Sequence, residues 1–247
     1  MKVFVINLPS SLERREKISQ SLNEIGIEFE LFTAIDGHQG LPPELVNLPD
    51  DKHRIFFRSR PLSPGEKGCY ASHYRLWQKC LEIDEPILIL EDDGIPTENF
   101  SEVLTRLPEL HQKGYEYLRV EKQERGCKQI DTHGDFNIVL WADNRSGARG
   151  YSISPSGAKR LLKYSNRWVC AVDNYIGESY RTGLICAGVQ PYAIRDDGAD
   201  QVSTIRRCND KSLVPLYFKL LRELYRFYRF SRMTLNFLQY KSNEKFQ

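Results

Sequence analysis

Residues 86–96, PILILEDDGIP, constrain this chain more than any other stretch. Ile87, Leu88, Ile89 and Leu90 run without alternation and stop at Glu91, Asp92 and Asp93. An unbroken run rich in β-branched residues reads as a strand buried on both faces, so helices must cover both sides of the sheet it joins. The carboxylates then stand where the strand leaves the sheet, which is where open α/β folds receive ligands. Three adjacent carboxylates repel one another, and a cation would offset that charge. Oxygen ligands select Mg²⁺ or Mn²⁺, ions that commonly arrive with substrate phosphates. A solvated acidic turn after an edge strand is the plainer alternative.

The rest of the chain supplies the layers this strand requires. Val3 to Leu8 reads as a first buried strand. Ser10 and Glu13 form a capping-box pattern ahead of a helix whose apolar side is Leu12, Ile18, Leu22 and Ile25. Gly26 closes that helix and Glu28 to Ile35 returns as a strand, giving a right-handed crossover and parallel pairing. Residues 38–65 show little periodicity and read as a long excursion with a local helix near Pro43 to Leu48. Ser63, Pro64 and Glu66 open a helix lined by Cys69, His73, Leu76, Trp77 and Cys80. A helix over Phe100 to Leu107, closed by Pro108, precedes a strand at Tyr115 to Val120. The charged stretch from Glu121 to Asp135 reads as a solvated excursion. Ile138 to Trp141 and Gly150 to Ile153 read as strands joined by a polar hairpin or loop. Ser154-Pro155 opens another helix, Val169 to Tyr180 suggests one more, and Leu184 to Val189 is a short strand. About six strands interleaved with helices predict an α/β fold with a mainly parallel sheet.

Composition removes several classes of function. A formal charge of +2 over 247 residues gives no global reason to bind nucleic acid. None of the six cysteines forms a CxxC pair, so a structural zinc or thioredoxin-like site is not expected, and reduced thiols are. The first residues carry an apolar run too short for a secretory signal, and no stretch reaches membrane-spanning length. From Leu216 onward, however, seven basic residues face two acidic ones, net +5, which leaves the rest of the chain at −3. This segment, LYFKLLRELYRFYRFSRMTLNFLQY, is aromatic and basic at helical spacing. The expected organisation is therefore a catalytic domain over residues 1–213 and an amphipathic helical tail over 214–247.

Beyond the acidic tip, a few residues stand out chemically. Arg14 and Arg15 lie in the first turn of a helix, an unfavourable place for cations unless an anion docks there. Asp173 is an acid within Val169, Ala171 and Val172, and must face a polar site or bear a desolvation cost. His73 is as well explained by a satisfied core position as by catalysis. Asp196, Asp197 and Asp200 form a turn cluster.

Four segments in order, VFVINLPSSLERRE (3–16), FTAIDG (32–37), GEKGCYASHYRLWQKC (65–80) leading to LILEDD, and GYSISPSGAKRLL (150–162), resemble glycosyltransferase family 25. VDNYIGE and VQPYAI extend the match to about residue 200. That family comprises bacterial lipooligosaccharide galactosyltransferases related to collagen galactosyltransferase domains. The resemblance implies a GT-A-like fold, a nucleotide-sugar donor (chiefly UDP-galactose), Mn²⁺ or Mg²⁺, and inversion at the anomeric carbon. It places Glu91 and Asp93 as metal ligands, Asp92 with them on the donor side, and Asn7, Arg14, Arg15, Ala34 and Asp36 as nucleotide-side residues. Asp173 matches the acid suspected near the acceptor and is the expected base, with Asp196 or Asp197 as alternatives. Pro9 departs from the family pattern, where a basic residue is frequent. An inverting displacement needs no covalent intermediate, so neither Ser72 nor any cysteine is required as nucleophile. The implied acceptor is a lipid-linked oligosaccharide, which would put the enzyme at the cytoplasmic face of the inner membrane. There the tail would make a peripheral contact with anionic lipid; packing on its own domain or across a homodimer are the alternatives. Another UDP-sugar donor, or a metal-dependent nucleotidyltransferase, is the competing function.

Overall fold

The computed structural model describes residues 1–123, 126–145, 147–196 and 216–242. The chain opens with β1 (Lys2–Asn7), α1 (Leu12–Glu24) and β2 (Glu30–Thr33), then passes through α2 (Asp51–Arg58) and α3 (Pro64–Ile83) to β3 (Ile87–Glu91). Next come β4 (Gly94–Pro96), α4 (Phe100–Gln112), β5 (Tyr117–Arg119), β6 (Cys127–His133), β7 (Phe136–Trp141) and β8 (Gly150–Ile153). The described elements end with α5 (Pro155–Tyr164), α6 (Val172–Gly177), α7 (Ser179–Thr182), β9 (Cys186–Gln190), β10 (Ile194–Asp196) and α8 (Leu216–Ser242).

The aliphatic run of β3 lies near the middle of an eight-stranded sheet of order β2-β1-β3-β8-β5-β9-β7-β6. Its four apolar residues are all buried. Ile87 and Ile89 join one core with α3, α5 and α6, while Leu88 and Leu90 join a second core with α1 and α4. Period-two geometry thus divides one continuous apolar run between two helical layers. The crossover at the N-terminus is as expected: β1 pairs parallel with both β2 and β3.

The sheet is mixed rather than mainly parallel. Among the described strands of the sheet, β1–β2, β1–β3 and β5–β9 pair parallel; β8 enters antiparallel between β3 and β5, and β6–β7 is an antiparallel hairpin beside β9. The two apolar runs expected as neighbours, β7 and β8, are separated in the sheet by β9 and β5. Apolar runs reveal strands but carry no information about their partners. β6, taken from sequence as solvated excursion, is an edge strand with no fully buried residue, so it lacks the burial pattern that would reveal it.

Several helix boundaries also differ. Ser63 and Glu66 make the full capping box at α3, and Ser154 caps α5 with Pro155 behind it. At α1 the N-cap position is Ser11 rather than Ser10, with no side-chain cap bond. Residues 43–48 form turns, and the helix of that excursion is α2, capped by Asp50. Pro108 lies inside α4, because burial of Leu107 and Leu110 carries the helix on to Gln112. The expected helix over 169–180 is two short ones, α6 and α7.

α8 packs one face on the body. Arg229 is buried there, its Nε donating to Glu178 Oε1 (2.6 Å), and Met233 is buried beside it. Phe218 meets Phe56, and Tyr225 meets His53 and Phe57 of α2.

Two glycines bring the β2 exit against α3. A Cβ on Gly68 would stand 2.3 Å from the Ile35 carbonyl oxygen, and one on Gly37 would stand 1.8 Å from that of Pro64. Ser72 Oγ closes the contact, accepting from the Ile35 N–H and donating to the Gly68 carbonyl, both at 2.9 Å. Gly68→Ala should force this contact apart and lower the free energy of unfolding by about 1–3 kcal/mol, seen as a lower urea midpoint. The same change at Gly126, with nothing within 4 Å of an added Cβ, should leave the midpoint in place.

Candidate active site

Parallel pairing places the exits of β1, β2 and β3 at one end of the sheet, carrying Asn7, the 34–36 turn and Glu91. β8 runs the other way, so its start lies at this same end: the Glu91 N–H donates to the Arg149 carbonyl oxygen at 2.9 Å. Glu121, bridged to Ile194, and Asp196 on β10 complete the cluster.

The three adjacent carboxylates fan out to different partners. Glu91 is held from the α3 side. Trp77 Nε1 donates to the Tyr151 hydroxyl (2.9 Å), which lies 2.8 Å from His73 Nδ1, and His73 Nε2 lies 3.0 Å from Glu91 Oε1. An indole N–H can only donate, so the phenol proton goes to Nδ1 and the imidazole donates its Nε2–H to the carboxylate. That ordering satisfies every donor and sets the tautomer. Against the cost of burial, the hydrogen bond from His73 and the charge of Arg149 hold Glu91 below the usual carboxylate range. The Cys69 thiol also points at Glu91 Oε1 (3.7 Å). Burial, with the charges of Glu91 and Asp173, pushes that thiol well up, so Cys69 is protonated and is no nucleophile.

Asp92 turns to β1 and α1: Asn7 Nδ2 donates to it at 2.7 Å and Arg14 stands 3.5 Å away. Burial nevertheless leaves its carboxyl above the ordinary value. Asp93 accepts from Arg149 Nε at 3.2 Å. Burial and the neighbouring Glu91 charge push Asp93 up to about 7. Arg149 is shared, reaching Asp196 at 2.8 Å and Glu121 at 3.8 Å. Glu121, buried and bonded to Arg119 at 3.1 Å, is likewise pushed by burial to about 7.

Asn7 and Arg14 therefore both contact Asp92, and Arg149 bridges Asp93 and Asp196. Arg15 is exposed on α1, and among the described residues no hydrogen bond joins it to these carboxylates. Ala34 sits beside β1, its N–H bonded to the Asn7 carbonyl oxygen (2.9 Å). Asp36 caps its own turn, accepting from the His38 N–H at 2.9 Å. Asp173 begins α6, half-buried, and its charge reaches the Cys69 thiol and Arg119, which puts it on the same side of the molecule. Its Oδ1 accepts from both the N–H and the Nδ2 of Asn174. Asn174 in turn accepts from Arg58 (3.2 Å) and Arg229 (2.9 Å), which fixes its amide so that the NH₂ faces Asp173. Asp197, Asp200 and Cys208 lie outside the described residues.

Cys69, His73 and Glu91 bring three potential metal ligands within 4.8 Å of one another. The donor chemistry divides them. Hard ions such as Mn²⁺ and Mg²⁺ suit carboxylate oxygens, which Glu91 and Asp93 provide, while a protonated thiol and an imidazole already bonded on both nitrogens suit the role of support. Arg149, Glu121, Arg119 and Tyr151 were not singled out from sequence. A basic residue directly before the β8 run was the one available signal.

The sequence model described as "Glycosyltransferase family 25 (LPS biosynthesis protein)" matches residues 1–176, which include Asn7, the acidic tip, Arg149 and Asp173. A glycosyltransferase 25 family member of Aedes aegypti is 36% identical over 192 residues, covering 70% of this chain and 30% of that protein. Lipooligosaccharide biosynthesis protein lic2B of Haemophilus influenzae is 33% identical over 167 residues, 64% of this chain and 61% of that one. Procollagen galactosyltransferase 2 of Homo sapiens is 28% identical over 211 residues, 79% of this chain and 33% of that protein. The matched part of the chain thus corresponds to less than two thirds of each of these relatives.

Tyr151→Phe should strand the Trp77 N–H and the His73 Nδ1 lone pair in a buried site. Chemical denaturation should show a loss of about 1–3 kcal/mol. A change within error would mean that the phenol does not order this hydrogen-bond chain.

Proposed function

The chain belongs to glycosyltransferase family 25, and on that premise we propose that it transfers galactose from UDP-galactose to a saccharide acceptor of lipooligosaccharide, with inversion and metal assistance. The carrying observation is the convergence of three parallel strand exits and the start of β8 on one group of carboxylates and guanidiniums. The choice of galactose and of a lipooligosaccharide acceptor is supported by the procollagen galactosyltransferase and the lipooligosaccharide biosynthesis protein among the relatives. The lipooligosaccharide protein is the one matched over the largest share of its own length among the three compared above.

Asp93 and Glu91 would hold Mn²⁺ or Mg²⁺, which when bound neutralises charge on the departing diphosphate. His73 keeps Glu91 ionised and aimed from α3, and Arg149 steadies Asp93. Asp92, oriented by Asn7 and Arg14, faces the donor side, and Arg14 supplies a cation for the nucleotide. Asp173 acts as base: Asn174 occupies Oδ1, which leaves Oδ2 to take the acceptor proton. The acceptor oxygen then bonds to the anomeric carbon as the bond from that carbon to the diphosphate oxygen breaks, and UDP leaves with the electron pair.

UDP release tests this reading, measured across a panel of UDP-sugars with saccharide acceptors and increasing Mn²⁺. UDP-galactose should be the preferred donor, and Asp93→Asn should cut metal-dependent turnover by roughly 10²- to 10³-fold with an unchanged circular dichroism spectrum. Another preferred donor would overturn the galactose assignment and leave the class standing. Unchanged metal dependence in the variant would remove Asp93 as a ligand.

Asp173→Asn should depress kcat by about 10²- to 10⁴-fold with little change in donor KM, the mark of a group acting in the transition state. A raised donor KM with kcat retained would assign Asp173 to donor binding.

A further inference from the structure

The two sides of α8 differ sharply. One is committed to the body through Arg229, Met233, Tyr225 and Phe218. The opposite side carries Tyr217, Leu220, Leu224, Phe227, Leu235 and Leu238, each about half or more exposed, with Phe227 at 71%. At 100° per residue these fall on one stripe along a helix of 27 residues, roughly 40 Å long. Folding has therefore not consumed the apolar surface of this helix. Because the buried side is pinned, α8 cannot simply roll over to hide the stripe.

Charge indicates what covers it. Lys219 and Arg226 lie beyond one edge of the stripe and Arg232 beyond the other, all exposed, with Arg232 also over the Tyr180 ring. Among the described residues of the helix, Glu223 is the one acid, and Arg222 and Arg226 already occupy it. A second copy seated on the stripe would set basic edges against basic edges. An anionic lipid surface complements them, and exposed aromatic rings beside bases suit the headgroup level. No described helix is long and apolar enough to cross a membrane, so such a contact would lie in the plane of the surface. We propose that the exposed face of α8 docks the protein on an anionic lipid bilayer. The proposal rests on this helix alone and is independent of the transfer chemistry.

The full chain should co-sediment with phosphatidylcholine vesicles containing about 30 mol % phosphatidylglycerol at least about tenfold more than with pure phosphatidylcholine. Leu224→Ser with Phe227→Ser should abolish sedimentation and leave the thermal melt unchanged, since both side chains are exposed. Lys219→Gln with Arg226→Gln should weaken binding to the anionic vesicles and leave the weak binding to neutral ones as it was. A wild-type chain that ignores phosphatidylglycerol would overturn the proposal. So would light scattering that finds a dimer dispersed by the Leu224 and Phe227 substitutions, because a second copy would then be the occupant.

Discussion

Like-charge repulsion at the end of the sheet is the constraint around which the site is built. Glu91, Asp93, Glu121 and Asp196 converge there, and carboxylates so close cannot all stay ionised without cations or donors between them. Arg149 is the principal internal answer, touching three of the four. His73 serves Glu91 from beneath. The result is uneven: Glu91 is stabilised as the anion, while Asp93 and Glu121 are pushed towards neutrality. An added cation at the Glu91–Asp93 side would relieve what Arg149 leaves uncompensated.

A second charged network, around Glu178 between α6 and α7, fastens α8 to the body. Glu178 is fully buried and receives Arg58, Arg181 and Arg229 from three helices. Burial alone would raise its carboxyl; the Arg229, Arg58 and Arg181 charges hold it below the usual range. Removing one partner from such a buried group leaves charge uncompensated, which is why α8 is fastened at this point. Arg58 and Arg229 also grip Asn174, whose amide steadies Asp173. The helix with the exposed apolar stripe is therefore two hydrogen bonds away from Asp173, the carboxylate proposed as base.

Much of the architecture was legible because it rests on local rules. The buried run at 87–90, the crossover at the N-terminus, the capping box at Ser63 and Glu66 and the Ser154-Pro155 helix start all came from patterns within a few residues. The misses have one physical origin. β6 has no buried face, α2 lies in a stretch without clear periodicity, and α4 continues through Pro108 because tertiary burial outweighs a local breaker. The sheet came out mixed because strand order depends on long-range pairing, about which an apolar run is silent.

The site divides in the same way. Sequence alone determined that three carboxylates end a buried strand, that Asp173 is an acid in apolar surroundings, and that the C-terminal helix is basic and aromatic, since each is a property of neighbours along the chain. Only the tertiary structure decided that Asp92 belongs to Asn7 and Arg14, that Trp77, Tyr151 and His73 order Glu91, and that Arg149 sits among the carboxylates. It also decided which side of α8 is fastened by Arg229 and which is left to solvent. These are contacts between residues tens of positions apart, and their energies depend on burial and distance, which exist only once the chain has folded.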